Sequence, residues 1–198
     1  MNHDRAMRNR SAVIFASLFS LAVPALGYVY LGALVALLFL LGYVGGFLLW
    51  RLVPARASYA SIRVPYWTTL LAFIALHKVE ENVTDFFQVL GDRVTGVPVP
   101  EVTPLLVIGL LIVPIGAWAV GPALIKRGHD FGYYLAWTFF AAMGLTELAH
   151  FIFPLLAGGP YGYFPGMASV FVLAPLAWWG MFRLARGPAS AGVMSFRR

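Results

Sequence analysis

The reading of this chain turns on Leu76-His77-Lys78-Val79-Glu80-Glu81-Asn82. The stretch lies inside a segment that is otherwise apolar enough to cross a membrane. His77, Glu80 and Glu81 stand at i, i+3 and i+4, so on a helix they share one face. A second apolar segment carries Glu147 and His150, again three apart. The chain holds 8 acidic residues and 4 histidines. Three of the acids and two of the histidines fall within apolar segments, and ionisable groups at membrane depth point to function.

Composition sets the frame. Of 198 residues, 61% are hydrophobic and 11% charged, with a mean hydropathy of +0.81, against about 25% charged residues in a soluble domain. The chain therefore reads as an all-α integral membrane protein, a single polytopic bundle. Cysteine is absent, which excludes disulfides, thiolate metal sites and a cysteine nucleophile. The net charge of +6 does not indicate nucleic acid, because the basic residues cluster at the ends of apolar spans.

Six spans are expected, at about 20 residues per crossing: 11–28, 31–53, 65–90, 103–125, 132–153 and 167–184. Residues 1–10 form an N-terminal segment, 11–186 the six-helix transmembrane domain, and 187–198 a basic tail. Residues 1–25 also fit a secretory leader; cleavage would leave five spans and the same site. One side of the membrane receives Arg5, Arg8, Arg10, Arg51, Arg56, Arg63, Lys126, Arg127, Arg183, Arg186, Arg197 and Arg198, and the other only Arg93. This bias puts both termini in the cytoplasm of a multi-pass protein, with the cell inner membrane as the expected location. Pro24 and Gly27 are expected to end the first span, Pro65 to start the third, and Pro114 with Gly116 to kink the fourth.

Depth decides which groups can meet. Counted from Pro65 at about 1.5 Å per residue, His77 lies roughly 18 Å deep and Glu81 roughly 24 Å. Counted from Gly132, Glu147 lies roughly 22 Å deep and His150 roughly 27 Å. Both clusters reach the outer half of the bilayer. Asp85 reads as a wetted helix-end residue, and His129 as a solvated loop histidine. Lys78, about 100° round the helix, is expected to face elsewhere, and the uncharged loop 157–166 to cover the site as a lid.

Buried carboxylates must protonate, pair or bind a cation. His77, Glu80, Glu81, Glu147 and His150 make a nitrogen and oxygen donor set that suits one or two divalent ions of Zn, Fe or Mn. Glu147-x-x-His150 has the spacing of helix-bundle dimetal carboxylate sites. Glu80 and Glu81 are the expected catalytic carboxylates. The reading is a metal-dependent hydrolase or oxidoreductase acting in the bilayer on a lipidic or small hydrophobic substrate. A second reading needs no metal: acid–base isomerisation or cyclisation of sterol- or isoprenoid-like lipids. A transporter, or a non-catalytic membrane protein with protonated carboxylates, is the third.

His77-Lys78-Val79-Glu80-Glu81, with Glu147-Leu148-Ala149-His150 and Tyr163-Phe164-Pro165-Gly166, resembles the HXXEE-domain family of integral membrane proteins. The likeness covers about residues 67–183. Glu147 departs from the pattern, since Asn is the usual residue there. The resemblance implies a membrane-embedded His/Glu site and supplies no reaction.

The topology carries a test: a reporter fused after Arg198 is active on the cytoplasmic side, and a reporter found outside the cell contradicts the orientation.

Overall fold

The computed structural model describes residues 9–53 and 57–186. Arg5, Arg8, Pro54, Arg56, the tail 187–198 and all but the end of the segment 1–10 lie outside them. Among the described residues the regular structure is all helix, with no strand. The helices are α1 (Arg10–Leu52), α2 (Tyr59–Ala72), α3 (Lys78–Val83), α4 (Phe86–Leu90), α5 (Pro104–Val107), α6 (Val113–Lys126), α7 (Asp130–Ala141), α8 (Phe153–Leu156) and α9 (Met167–Ala185). Turns of π-helix join several end to end: Phe73–His77, Ile108–Ile112 and Ala142–Thr146. A 3-10 turn, Glu147–Phe151, precedes α8.

Three stretches are long and apolar enough to cross a membrane: Arg10–Leu52, Pro104–Lys126 and Met167–Ala185. The first, with 43 residues, has about twice the length of one crossing. Its helical geometry breaks at Gly32, where φ is 85° and ψ 178°, a conformation open to glycine and closed to most residues. The expected break at Pro24 and Gly27 therefore moves to Gly32, and α1 runs through Pro24. The two runs that carry the His/Glu residues, 59–83 and 130–156, are divided by π and 3-10 turns into pieces too short to cross alone.

The ends of the third run also move. Ser58 caps α2, and Pro65 stands inside it rather than at its start. The run stops at Val83, because Asp85 takes a left-handed backbone (φ 51°) before α4 begins. Asp85 is exposed, as expected of a helix-end residue. Next to Pro114, where a kink is expected, the fourth run takes a π turn, Ile108–Ile112.

A proline inside a helix leaves the carbonyl four residues back without its donor. Two of these carbonyls are taken up by neighbouring helices. Pro65 frees Ser61, whose oxygen accepts from Arg183 Nε at 3.2 Å. Pro122 frees Trp118, whose oxygen accepts from the Tyr66 hydroxyl at 2.7 Å. These repairs tie α2 to α9 and α6 to α2.

The core lies where α1, α2, α6, α7 and α9 meet, and it is aromatic: Trp50, Tyr66, Tyr134, Phe139 and Phe140 are buried. The N-terminal half of α1 belongs to it. Ala16, Ser20 and Val23 are buried, and the Ser20 and Tyr134 hydroxyls lie 2.7 Å apart. Outward, Phe15, Leu18, Leu21, Val29, Leu37 and Phe171 are each at least 60% exposed, an apolar surface far larger than a water-soluble monomer presents.

Gly42 and Gly46 let α1 approach the site-bearing run. A Cβ at Gly46 would stand 2.5 Å from Thr138 Cα, and one at Gly42 would stand 2.7 Å from Thr146 Oγ1. This close helix contact through small residues seats Thr146, whose hydroxyl donates to the Leu38 carbonyl at 3.1 Å. Gly45, with open space beside it, is the control. Gly46→Leu is expected to cost about 1–3 kcal/mol by overpacking, read as a lowered unfolding midpoint in detergent, whereas Gly45→Leu leaves the midpoint unchanged.

Candidate metal centre

The two polar runs converge on a point. His77 closes the π turn Phe73–His77, and Glu81 follows one turn later in α3. From the other side, the π turn Ala142–Thr146 leads directly into the 3-10 turn that holds Glu147 and His150. Turns of π-helix inside α-helices recur at functional sites. In a 3-10 turn, side chains at i and i+3 eclipse, so Glu147 and His150 project to the same spot.

One donor atom from each of His77, Glu81, Glu147 and His150 lies within 4.8 Å of all the others. Glu147 Oε2 stands 3.1 Å from His77 Nε2 and 3.2 Å from His150 Nε2. Glu81 Oε1 stands 3.4 Å from His77 Nε2 and 3.6 Å from His150 Nε2. The imidazoles are perpendicular, with centroids 5.0 Å apart. His77, Glu81 and His150 are buried and Glu147 nearly so.

The outer nitrogens have their own partners. His150 Nδ1 donates to the Pro165 carbonyl. A carbonyl only accepts, so Nδ1 carries the proton and Nε2 faces the centre. His77 Nδ1 stands 2.9 Å from Ser169 Oγ. That hydroxyl donates to the Gly166 carbonyl at 3.1 Å, which leaves its oxygen to accept from His77 Nδ1. Both rings thus turn Nε2 inward, where the facing atoms are carboxylate oxygens. Phe86 packs on the His150 ring, 4.8 Å between centroids.

The turn 163–166 builds the back wall. Gly166 has φ 91°, and a Cβ there would stand 2.3 Å from His150 Nδ1. No other residue type fits. The loop 157–166 is thus a support behind the histidines, and the cavity described below has none of its residues in the wall. This differs from the expected lid.

Glu80 stands apart from the group. Its carboxylate accepts from the Ser169 amide at 2.6 Å, the Ala168 amide at 3.0 Å and the Tyr163 hydroxyl at 2.5 Å. It caps the positive N-terminus of α9 from a neighbouring helix. Burial and the Glu80 carboxylate push the Tyr163 phenol above its ordinary pKa. Lys78 also differs from expectation. Its Nζ donates to Glu81 Oε2, and the ammonium sits 5.1 Å from the centre of the Phe73 ring. The two oxygens of Glu81 therefore divide, Oε1 to the centre and Oε2 to Lys78. His129 is exposed and caps α7, its Nδ1 accepting from the Phe131 amide at 3.2 Å.

Beside the group opens a cavity of about 700 Å³. Glu81, Glu147, Lys78 and Asn82 stand in its wall, and most of the remainder is aliphatic or aromatic, including Phe39, Phe73, Leu110 and Trp118. Such a volume is ordinary for a small-molecule site. No spacing in the sequence announces it, because its wall is assembled from parts of the chain as far apart as Val23 and Glu147.

A protein-family scan, a search of curated proteins and a search of solved structures each return no match for this chain.

The cap assigned to Glu80 is testable. Glu80→Ala is expected to lower unfolding stability by about 0.5–2 kcal/mol while the protein keeps any metal bound by the other four residues. Loss of metal at unchanged stability would show instead that Glu80 is a ligand.

Proposed function

We propose that this chain is a six-helix membrane protein with both termini cytoplasmic, and that it is a metal-dependent enzyme acting on a lipidic or small hydrophobic substrate. Two crossings come from α1, divided at Gly32. The runs 59–83, 104–126, 130–156 and 167–185 supply the others. The inner membrane is the proposed location, and membership of the HXXEE-domain family is proposed on the motifs quoted above.

One observation carries the metal reading: the His150 Nδ1 proton is committed to the Pro165 carbonyl. Two inward Nε2 atoms and two carboxylate oxygens then face one another in a buried space, an arrangement that a cation satisfies. Four ligands at about 2.1 Å around a tetrahedral ion stand roughly 3.4 Å apart; the four nitrogen–oxygen separations of 3.1–3.6 Å match this, and the whole group, spread over 4.8 Å, closes slightly onto a bound ion. His77, Glu81, Glu147 and His150 are the proposed ligands of one divalent ion, Zn, Fe or Mn. Pro165, Ser169 and Lys78 orient His150, His77 and Glu81, as groups behind metal ligands commonly do.

A bound divalent ion supplies Lewis acidity, and with iron also redox chemistry. The chain's own residues do the rest. Glu147 and Glu81 line the cavity as proton acceptors for a group bound there. The apolar wall excludes water and strengthens every charge interaction at the centre. Glu80, expected as a catalytic carboxylate, is here proposed to position α9 and with it Ser169.

A second reading is acid–base chemistry without metal, and Lys78 favours it, because its ammonium gives Glu81 a counter-charge.

The deciding experiment is elemental analysis of purified protein never exposed to chelator. About one Zn, Fe or Mn per chain is expected, lost in His150→Ala and in Gly166→Ala and retained in Glu80→Ala. A metal-free wild type overturns the metal reading in favour of the second.

A further inference from the structure

The cavity has one polar corner. Glu81 and Glu147 stand there together, with Lys78 bound to Glu81. Tyr43 belongs to the same corner. It lines the cavity and is only 4% exposed. Its ring stacks on Trp118, centroids 5.8 Å apart and planes 20° apart. Glu147 stands in the wall of the same cavity. Among the described residues the Tyr43 phenol has no hydrogen-bond partner, and it is not one of the polar atoms sealed in packing, as Trp137 Nε1 is. The cavity is what it meets.

An unpaired buried hydroxyl is costly unless a ligand completes it. The neighbouring Thr146 hydroxyl is already committed to Leu38, and the Asn82 amide, also in the wall, is exposed, so Tyr43 is the buried donor left over. Away from the corner the wall is hydrocarbon, with Leu106, Leu110, Leu111 and Ile115 from the run 104–126. The one ammonium in the wall, Lys78, is engaged by Glu81, so a charged phosphate or carboxylate head finds no spare protein cation. At about 30 Å³ per water-sized group, 700 Å³ holds roughly twenty such groups, one chain rather than the two of a diacyl phospholipid.

We propose that the cavity takes an uncharged, single-chain oxygenated lipid, a hydrocarbon with one hydroxyl, carbonyl or ester head, and that the Tyr43 phenol hydrogen-bonds the head oxygen beside Glu147. The placement of the reacting head rests on the catalytic reading above; the binding itself does not need the metal. Tyr43 is then a substrate-binding residue that sets which end of the chain reaches the centre.

The test uses the full-length protein in phosphatidylcholine nanodiscs and two probes, a mid-chain-brominated octadecanol and the matching brominated octadecane. Bromine quenches tryptophan on contact, and Trp118 is buried against the cavity, away from bulk lipid. Saturable quenching is expected with both probes and is lost in Trp118→Phe, with the alcohol binding more tightly. Tyr43→Phe is expected to weaken the alcohol about three- to tenfold and leave the hydrocarbon unchanged. No Trp118-dependent quenching overturns the proposal, and so does a Tyr43→Phe effect that is absent or equal for the two probes. The same titration on chelator-treated protein separates the claims. Quenching that survives without metal upholds the lipid site whatever elemental analysis finds. Its absence from protein that does contain metal sinks the lipid site and leaves the metal centre standing.

Discussion

Two carboxylates and two imidazoles converging in an apolar interior are the constraint on which the rest of this structure depends. Glu147 and Glu81 are too close to one another, and too far from water, to stand as bare charges. The irregularities that flank the site serve that meeting. The π turns Phe73–His77 and Ala142–Thr146 shift the register of their runs just ahead of the site, and the 3-10 turn eclipses Glu147 with His150. Regular α-helix would also keep each pair on one face; what the π turns change is the register of the runs that lead into them.

Glu80 and Glu81 show how adjacent residues take opposite tasks. Successive helix positions point about 100° apart. Glu81 turns to the centre and is held from behind by Lys78. Glu80 turns to α9 and caps its first turn. Through that cap, helix α9 is fixed where Ser169 supports His77, and the turn before it presents the Pro165 carbonyl to His150. The cap, the Gly166 turn and the histidine supports are therefore one mechanical unit, and the cavity opens on the other side of the ligands.

Much of this was legible in the residues themselves. Hydropathy and the lack of acidic residues outside a few positions identify helices at home in a membrane. The i, i+3 and i+4 spacings and the matched depths single out His77, Glu80, Glu81, Glu147 and His150, of which the fold brings together all but Glu80. Less legible were the departures from ideal helix. Proline is a poor boundary marker where a partner side chain such as Arg183 repairs its lost hydrogen bond, so the expected limit at Pro65 moved, and α1 likewise runs through Pro24 to Gly32. Periodicity places Glu80 and Glu81 on one broad face and cannot divide them. Lys78, Ser169, Tyr43 and the cavity depend on contacts between distant runs, which no local pattern encodes. The Tyr163-Phe164-Pro165-Gly166 motif was visible, but its task became clear only from the His150 contact.

The central claim, a metal held by two imidazoles and two carboxylates, is tested most directly by X-ray absorption at the metal edge of protein loaded with a single equivalent of zinc. The account predicts a first shell of mixed nitrogen and oxygen with the outer scattering of two imidazole rings, falling to one ring in His77→Ala. An oxygen-only shell without imidazole scattering, the signature of a hydrated or lipid-bound ion, would contradict it.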